Sequence, residues 1–327
     1  MADQHKILCF YTESFPGNEI FNALNSQYPD SVTAFIHSGG PMQQKENLIY
    51  GDAEDLFFLD ELLTNFTTVI CCSNFIFPPV PFSRKDITKE KDIISGLVNS
   101  CLLHNIRSFL YLSNANALGI RKPGEKIDEN HILSHSKFDS TSAIGAFLCE
   151  QEVWRGHAEG LPATILNVGY LISDSDNKNN PFKMLCDIVK QKRRKISSGM
   201  NIFTGLDDLI KAIETCLKRN IIGERYIIGS ENMSYVNLAQ KISKFLGINE
   251  MKKAETGFIS KIHILTDIIP AIFGRRSSII PGADIVSESL SVVYDNSKSV
   301  TQLNMNYTPV EEVIKQALIR LYPDSVS

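Results

Sequence analysis

Short apolar runs alternate with amphipathic stretches along the first half of the chain. The runs of strand length cover residues 6–11, 32–37, 47–50, 67–72, 108–112 and 164–171. The stretches with apolar residues at helical spacing cover residues 18–27, 56–63, 87–105 and 141–157. Continuous apolar strands that alternate with helices are typical of a parallel sheet covered on both faces. We therefore predict an α/β fold with a doubly wound, Rossmann-like parallel sheet, in which ligands bind at the carboxyl ends of the strands.

The alternation becomes less regular after residue 172. A polar stretch comes first, at residues 173–181, and a further strand-like run lies at residues 224–228. Helical spacing returns at residues 182–191, 206–218, 234–246 and 308–321. We predict a Rossmann-like core over residues 1–172 and a smaller substrate-side lobe over residues 173–327. Within this lobe, residues from about 203 to 230 are expected to return to the core.

Composition and charge limit the classes of partner that we expect this protein to bind. The 327 residues include 33 Lys or Arg and 37 Asp or Glu, and the net charge of -4 offers no basic footprint for nucleic acid. No segment reaches the roughly 18 apolar residues of a membrane span, and the first residues, MADQHKILCFY, do not resemble a secretory leader. Seven cysteines, three of them in apolar runs, suit a reducing compartment. We expect a cytoplasmic protein with a small-molecule ligand and with neither a nucleic acid nor a membrane as partner.

Several segments, taken in order, resemble one family. NLIYGD (47–52) resembles a third-strand "GD" element, and RSFLYLSNANALG (107–119) is similar to "rfVyvSSaavyG". GAFLCEQEVWR (145–155) matches the helix after the catalytic motif, LPATILNVGYLI (161–172) is similar to "lpvtilRpgyvyG", and FTGLDDLIKAI (203–213) resembles "fvhVdDva.ai". Their order and spacing resemble the extended short-chain dehydrogenase/reductases. The nearest branch contains the NAD-dependent epimerase/dehydratases, the dihydroflavonol reductases and the 3β-hydroxysteroid dehydrogenases.

The resemblance implies a dinucleotide site, but its glycine-rich turn is altered. The family pattern GxxGxxG falls on Tyr11, Ser14 and Gly17, and Pro16 removes one backbone donor near the start of the helix. The glycines of this turn let backbone amides approach a pyrophosphate. The sequence therefore leaves open whether NAD or NADP binds at all. If a nucleotide binds, the implied contact positions are Ser14, Gly17, His37, Asp52, Ser73, Asn74 and Gly169.

The residues that the family uses for hydride transfer are also replaced. Relatives place a Ser before a YxxxK motif, in which the Lys and the cofactor lower the pKa of the Tyr. Here the Ser position falls on Asn114, the Tyr position on Ser142 and the Lys position on Ala146. Asn114 retains an amide that could polarise a carbonyl, whereas Ser142 and Ala146 provide no acid–base pair.

Two further groups of residues are weaker candidates. His131 and His135 are four residues apart, but they lie in a polar segment where substrate-lining or solvated histidines are expected, and we predict no metal site. The pentapeptide from Tyr294 to Lys298 fits YxxxK literally, yet it comes far too late in the chain. We expect Asp295 or Ser297 to cap a helix there.

Three functional hypotheses follow. The first is a ligand-binding or regulatory pseudoenzyme. The second is a repurposed pocket for non-redox chemistry, such as a cyclase, isomerase or dehydratase of a small hydrophobic substrate, with Asn114, Ser142, His131 and His135 as candidate groups. The third is a conventional NAD(P)-dependent oxidoreductase or epimerase, which would need a Tyr–Lys pair that the segment 120–160 lacks. By family resemblance, residues 87–105 and 141–157 are the helices expected to form a homodimer.

Overall fold

A computed structural model describes residues 6–13, 15–72, 84–119, 126–133, 141–191, 196, 199–248 and 292–324. Its described part contains one large sheet of eight strands in the order β11-β8-β6-β5-β1-β2-β4-β3. The strands are β1 (Ile7–Phe10), β2 (Val32–His37), β3 (Gln43–Lys45), β4 (Leu48–Gly51), β5 (Thr68–Cys72), β6 (Ser108–Asn114), β8 (Ala163–Val168) and β11 (Arg225–Ile228). All neighbours are parallel except β3 and β4. The prediction of a doubly wound parallel sheet is confirmed.

Helices cover both faces of this sheet. The helices of the described residues, including those of the smaller lobe, are α1 (Gly17–Gln27), α2 (Leu56–Leu63), α3 (Arg84–Leu103), α4 (Thr141–Ala158), α5 (Pro181–Gln191), α6 (Leu206–Lys218), α7 (Tyr235–Phe245), α8 (Ser297–Gln302) and α9 (Val310–Leu321). One apolar layer joins the sheet to α2, α3 and α4, and a second joins the opposite face to α1 and α6. We call these the α3-side layer and the α1-side layer. The two layers separate because successive side chains of a strand point to opposite faces.

A smaller lobe packs beside the core around its own apolar cluster. Its strands are β9 (Tyr170–Ile172), β10 (Met200–Gly205) and β12 (Glu231–Ser234), and β10 lies between the other two. Helices α5, α7 and α9 contribute the rest of the cluster. The segment from α6 to β11 returns to the core, because α6 packs in the α1-side layer and β11 pairs with β8. The boundary at residue 172 stays a prediction.

The structure corrects the predicted elements in two ways. The single strand predicted over residues 164–171 is two strands, β8 and β9, which separate at Gly169 and pair in different sheets. Sequence pattern also missed β3, β10, β12 and the two-stranded pair of β7 (Lys126–Ile127) and β13 (Val293–Tyr294). These strands lack the continuous apolar run that marks the core strands: β3 is QQK, β12 is ENMS, β10 begins with Met200 and Asn201, and β7 and β13 have two residues each.

Three other expectations concern compartment, membrane and assembly. All seven cysteines are buried and none is in a disulfide. Among the described residues, no helix combines the length and the apolar character needed to cross a membrane. Helices α3 and α4 pack against each other closely, since a Cβ on Gly156 would lie 2.3 Å from a methyl of Val98. Whether a second copy of the chain packs on these helices stays a prediction.

Candidate functional site

The turn between β1 and α1 begins with a tyrosine in a backbone conformation that favours glycine. Tyr11 has φ of 65°, in the left-handed region. Phe10 already points into the α3-side layer, and the unusual φ sends the Tyr11 ring into the same layer, so strand alternation is broken. The two ring centroids are 4.7 Å apart in an edge-to-face arrangement. The side chain of Tyr11 is thus a buried core group, 1% exposed.

The hydroxyl of Tyr11 is held by a buried carboxylate. It donates to Oε2 of Glu90 on α3 at 3.4 Å, and Glu90 is 5% exposed. Burial raises the pKa of Tyr11 well above its ordinary value, and the nearby Glu90 raises it further. A catalytic tyrosine of a dehydrogenase needs the opposite shift. The surroundings of Tyr11 therefore favour the neutral phenol.

The last glycine of the turn is required for packing. A Cβ on Gly17 would lie 2.4 Å from the carbonyl oxygen of Tyr11 and 3.1 Å from Cα of Thr12. Thr12 in turn donates from its backbone N–H and its hydroxyl to the carbonyl of Phe35 on β2. The start of α1 is therefore fixed close against β1, as in a dinucleotide-binding turn. Gly17, which the sequence assigned to cofactor binding, has this structural reason for being glycine. Ser14, assigned with it, lies outside the described residues.

Two carboxylates flank the start of α1. Glu13 lies in the turn and its Oε2 accepts from the backbone N–H of His37 at 3.4 Å, while Glu19 lies in the first turn of the helix. The protein around Glu13 raises its pKa to about 7 by desolvation. Because Glu13 is exposed, water solvates its carboxylate and reduces this rise in pKa. Burial also raises the pKa of Cys72 at the end of β5, and Cys9, Glu13 and Glu19 raise it further, which places both carboxylates near this edge of the sheet.

These acids change what the helix end can bind. The amino end of a helix attracts anions through its free N–H groups and its dipole. A carboxylate that belongs to the chain itself and lies in the first turn interacts favourably with the same dipole. A pyrophosphate brought to the same place would meet the negative charge of Glu19 and, when ionised, of Glu13. Sequence analysis missed both residues, although an acid three residues after the turn's proline is a visible signal.

The positions assigned to the nucleotide's ribose and adenine lie on the next two strands. His37 ends β2 and its Nδ1 accepts from the backbone N–H of Ala53 at 3.1 Å. Asp52 follows β4, and its Oδ1 accepts from the backbone N–H of Glu54 at 2.9 Å and lies 3.7 Å from Nδ1 of His37. Ligand atoms of His37, Asp52 and Glu54 come within 4.8 Å of one another. The side chains of His37 and Asp52 therefore both accept hydrogen bonds from backbone amides of the turn before α2. Ser73 and Asn74 lie outside the described residues.

Gly169 has a structural role of its own. A Cβ at this position would lie 2.5 Å from the carbonyl oxygen of Ile202 on β10. Its N–H donates to the carbonyl of Ile228 at 2.9 Å. The glycine therefore lets β10 of the small sheet approach the point at which the chain leaves the large one. This contact accounts for Gly169 without a cofactor.

At the catalytic positions, the groups that replace the family residues have other contacts. Asn114 ends β6 and its Oδ1 accepts from the N–H of Asn116 at 2.7 Å, which caps a short 3-10 helix, Ala115–Leu118. Ser142 lies in the first turn of α4 and is 9% exposed. Ala146 is fully buried in the α3-side layer, the same apolar cluster that holds Tyr11. A methyl group in that layer offers no charge to a substrate or a cofactor.

Of the two candidate histidines, only His131 lies within the described residues. His131 follows β7, and its backbone N–H donates to the carbonyl of Asp128 at 3.1 Å. His135 lies outside the described residues. The neighbouring Glu129 accepts from the N–H of Ile227 on β11 at 2.9 Å, which joins this segment to the edge of the large sheet.

The late YxxxK sequence is part of the scaffold. Tyr294 is 2% exposed and its hydroxyl donates to Oδ1 of Asn116 at 3.0 Å. Asp295 accepts from the backbone N–H of Ser297 at 3.0 Å, at the start of α8, and Lys298 forms an ion pair with Glu224 at 2.8 Å. The lysine is therefore engaged elsewhere, and burial raises the pKa of Tyr294 above its ordinary value.

A buried polar network lies directly beneath the catalytic positions. Oε1 of Glu150, on α4, accepts from Nδ2 of Asn167 at 2.6 Å, and its Oε2 forms an ion pair with Arg225. The same Nδ2 donates to the carbonyl of Asn114 at 3.1 Å. Glu150 is fully buried, and burial raises its pKa while Arg225 opposes the rise. The guanidinium of Arg225 also lies 5.5 Å from the ring centroid of Trp154.

The charge pair of this network joins two distant segments. The counterion of Glu150 comes from Arg225 on β11, which pairs in parallel with β8. At the aligned position of β8, this chain has Asn167, where the pattern "lpvtilRpgyvyG" has an arginine. The pair was not predicted from the sequence, because the two residues are 75 positions apart.

Known proteins of this fold are similar over most or all of the chain. A dihydroflavonol 4-reductase-like protein of Synechocystis is 22% identical over 222 residues, 65% of this chain and 64% of that protein. The alignment thus covers less than two thirds of that curated relative. No family model matches the chain.

Solved structures align along nearly the whole length. The protein gox2253 has a TM-score of 0.79 at 19% identity, covering 98% of this chain and 99% of that one. PA4631, a nucleoside-diphosphate-sugar epimerase from Pseudomonas aeruginosa, has a TM-score of 0.75 at 14% identity and covers 98% of each chain. UDP-glucuronic acid 4-epimerase from Bacillus cereus, solved with UDP-glucuronic acid and NAD, has a TM-score of 0.70 at 17% identity, with 97% and 99% covered.

The molecule therefore has the fold of the extended short-chain dehydrogenase/reductases. Its sequence is similar to that of a dihydroflavonol 4-reductase-like protein, and its fold is similar to that of nucleotide-sugar epimerases. The family resemblance predicted from sequence is confirmed.

Proposed function

We propose that this chain is a ligand-binding or regulatory pseudoenzyme: it keeps the fold of a dehydrogenase but carries out no hydride transfer. The burial of Ala146 carries the proposal. Hydride transfer in this family needs an ammonium group at that position to lower the pKa of a phenol. Ala146 is 0% exposed within an apolar layer, where an inserted charge would lose its hydration.

The other end of the cleft supports the same proposal. Tyr11 replaces the first glycine of the dinucleotide turn and packs into the core. Glu13 and Glu19 put carboxylates beside the start of α1, where relatives of this fold bind phosphate. Loss of the acid–base pair and loss of an anion-binding turn are two separate changes, and each one alone would impair a dinucleotide-dependent reaction.

The scaffold around the cleft is nevertheless intact. Gly17 and Gly169 still permit close backbone approaches, and the network of Glu150 still supports the end of β6. In doubly wound folds, ligands bind at the carboxyl ends of the strands, which this scaffold surrounds. We therefore assign a small-molecule ligand to the cleft at the carboxyl ends of the strands. The buried, unpaired cysteines suit a reducing, cytoplasmic compartment.

Calorimetric titration with NAD, NADH, NADP and NADPH tests the proposal. We expect no saturable heat with any of the four, and no rise in the unfolding temperature in a parallel thermal-shift assay. Saturable binding at micromolar concentrations would overturn the proposal and restore the oxidoreductase hypothesis. Phe57→Ala serves as a reference for protein quality, because Phe57 is 88% exposed on α2 and its loss should change neither measurement.

A further inference from the structure

One hydrogen bond joins the small lobe to the start of α1. The hydroxyl of Ser175, in the loop after β9, donates to Oε1 of Glu19 at 2.5 Å. The two residues are 156 positions apart in the chain. Since Glu19 lies in the first turn of α1, the contact bridges the two sides of the cleft at the helix end that faces a ligand's phosphates in proteins of this fold.

The loop that presents Ser175 is well ordered by its own contacts. Asn180, which is fully buried, donates from Nδ2 to the carbonyls of Ser173 at 2.9 Å and Ser175 at 2.8 Å. The backbone N–H of Ser175 donates to the hydroxyl of Ser173 at 3.1 Å. A loop braced in this way holds the Ser175 hydroxyl in position at little further cost in conformational entropy.

The second carboxylate oxygen of Glu19 is also enclosed. Oε2 is buried and has no hydrogen-bond partner among the described residues. The carboxylate is thus held by Ser175 on one oxygen, within the first turn of α1.

We propose that Glu19 and Ser175 form an autoinhibitory latch, which closes the cleft and excludes ligands that carry a diphosphate. The inference rests on the proposed function, because it explains why a dinucleotide does not bind. The excluded ligands are defined by their chemistry: two linked phosphates that would compete with the Glu19 carboxylate for the amino end of α1. Opening the latch would remove the competing anion from that position.

Substitution Glu19→Gln tests the charge of the latch. The change keeps the size of the side chain and removes its negative charge. We expect calorimetry with inorganic pyrophosphate and with ADP to show binding at least tenfold tighter to the variant than to the unaltered protein, and to weaken as salt is added. Glu61→Gln is the matched control: Glu61 is an exposed acid on α2, and its loss changes the net charge equally. Equal affinity of Glu19→Gln and the unaltered protein would overturn the latch.

Substitution Ser175→Ala tests the tie between lobe and core. We expect inorganic pyrophosphate and ADP to bind several-fold more tightly to this variant than to the unaltered protein, because the hydroxyl that holds the Glu19 carboxylate is removed. Ser26→Ala is the control, because the Ser26 hydroxyl bonds only within α1. Unchanged affinity in Ser175→Ala would contradict the latch.

The outcomes separate the latch from the proposed function. Dinucleotide binding by the unaltered protein would overturn the proposed function and the latch together. If neither the unaltered protein nor Glu19→Gln binds diphosphates, the latch fails while the proposed function stands.

Discussion

The two ends of the cleft are held by different kinds of contact. At the phosphate end, Tyr11, Glu13 and Glu19 form hydrogen bonds with other segments of the chain. At the other end, the buried carboxylate of Glu150 forms an ion pair with Arg225 on β11. The first end is joined by hydrogen bonds between segments, whereas the second contains a charge pair inside the core.

The difference shows which of the aligned positions have a structural role. Gly17, Gly169 and Glu150 each meet backbone or buried polar groups in this fold. Ser142 and Ala146 are buried as well, but a hydroxyl and a methyl group at these positions make no comparable demand on their surroundings.

Among the substitutions considered, Arg225→Met should lower the stability of the protein most. Arg225→Met leaves the fully buried Glu150 without its counterion, so we expect the free energy of unfolding to fall by about 3–5 kcal/mol. Chemical denaturation measures the change. Lys89→Met is the control, because Lys89 pairs with Glu54 at an exposed site and its loss should have little effect.

The stability of Arg225→Met should also depend on pH. Without Arg225, only hydrogen bonds from Ser113 and Asn167 oppose the effect of burial on Glu150, and its folded pKa should lie further above that of the unfolded chain. The folded state then binds more protons, so the variant should lose stability as the pH rises from the ordinary glutamate pKa through the raised one. The double variant Glu150→Gln with Arg225→Met should lack this slope. A deficit that is the same at pH 5 and pH 8 would contradict the assignment.

Gly17→Ala should have the next largest effect. The added Cβ would lie 2.4 Å from a backbone carbonyl, which cannot move without shifting β1 or α1. We expect a loss of about 1–3 kcal/mol in the free energy of unfolding. Gly40→Ala is the control, since a Cβ there meets no atom within 4 Å. Equal stabilities of the two variants would show that the close approach of α1 to β1 is not a constraint.

Tyr11→Phe should have the smallest effect. The substitution keeps the ring in the core and removes one long hydrogen bond to Glu90, so we expect a loss of about 1 kcal/mol. Tyr50→Phe on β4 is the comparison, because Tyr50 is only half-buried and its hydroxyl has no hydrogen bond in the described part of the chain. If Tyr11→Phe were more stable than the unaltered protein, the hydrogen bond from Tyr11 to Glu90 would not contribute to stability.

The order of elements in the core was predictable because long apolar runs mark buried strands. The bounds of α2 and α6 were predicted from sequence as they occur in the structure, at residues 56–63 and 206–218. The division at Gly169 was missed, because TILNVGYL is mostly apolar on both sides of the glycine and only the approach of Ile202 shows where the chain changes sheets.

The candidate site was predictable only where it is local in sequence. The replacement of glycines at Tyr11 and Ser14 and the loss of the lysine at Ala146 follow from spacing to family landmarks. The burial of the Tyr11 ring required the backbone φ, and the pairing of Glu150 with Arg225 required the parallel register of β8 and β11. Contacts between distant segments leave no periodic signal in one sequence.

Hydrogen exchange at the start of α1 tests the central claim most directly. If the chain's own side chains occupy the phosphate end of the cleft, the backbone amides of residues 17–20 should exchange at the same rate with and without NADH. Protection of these amides when NADH is added would show a dinucleotide docked on the helix end, and would contradict the account.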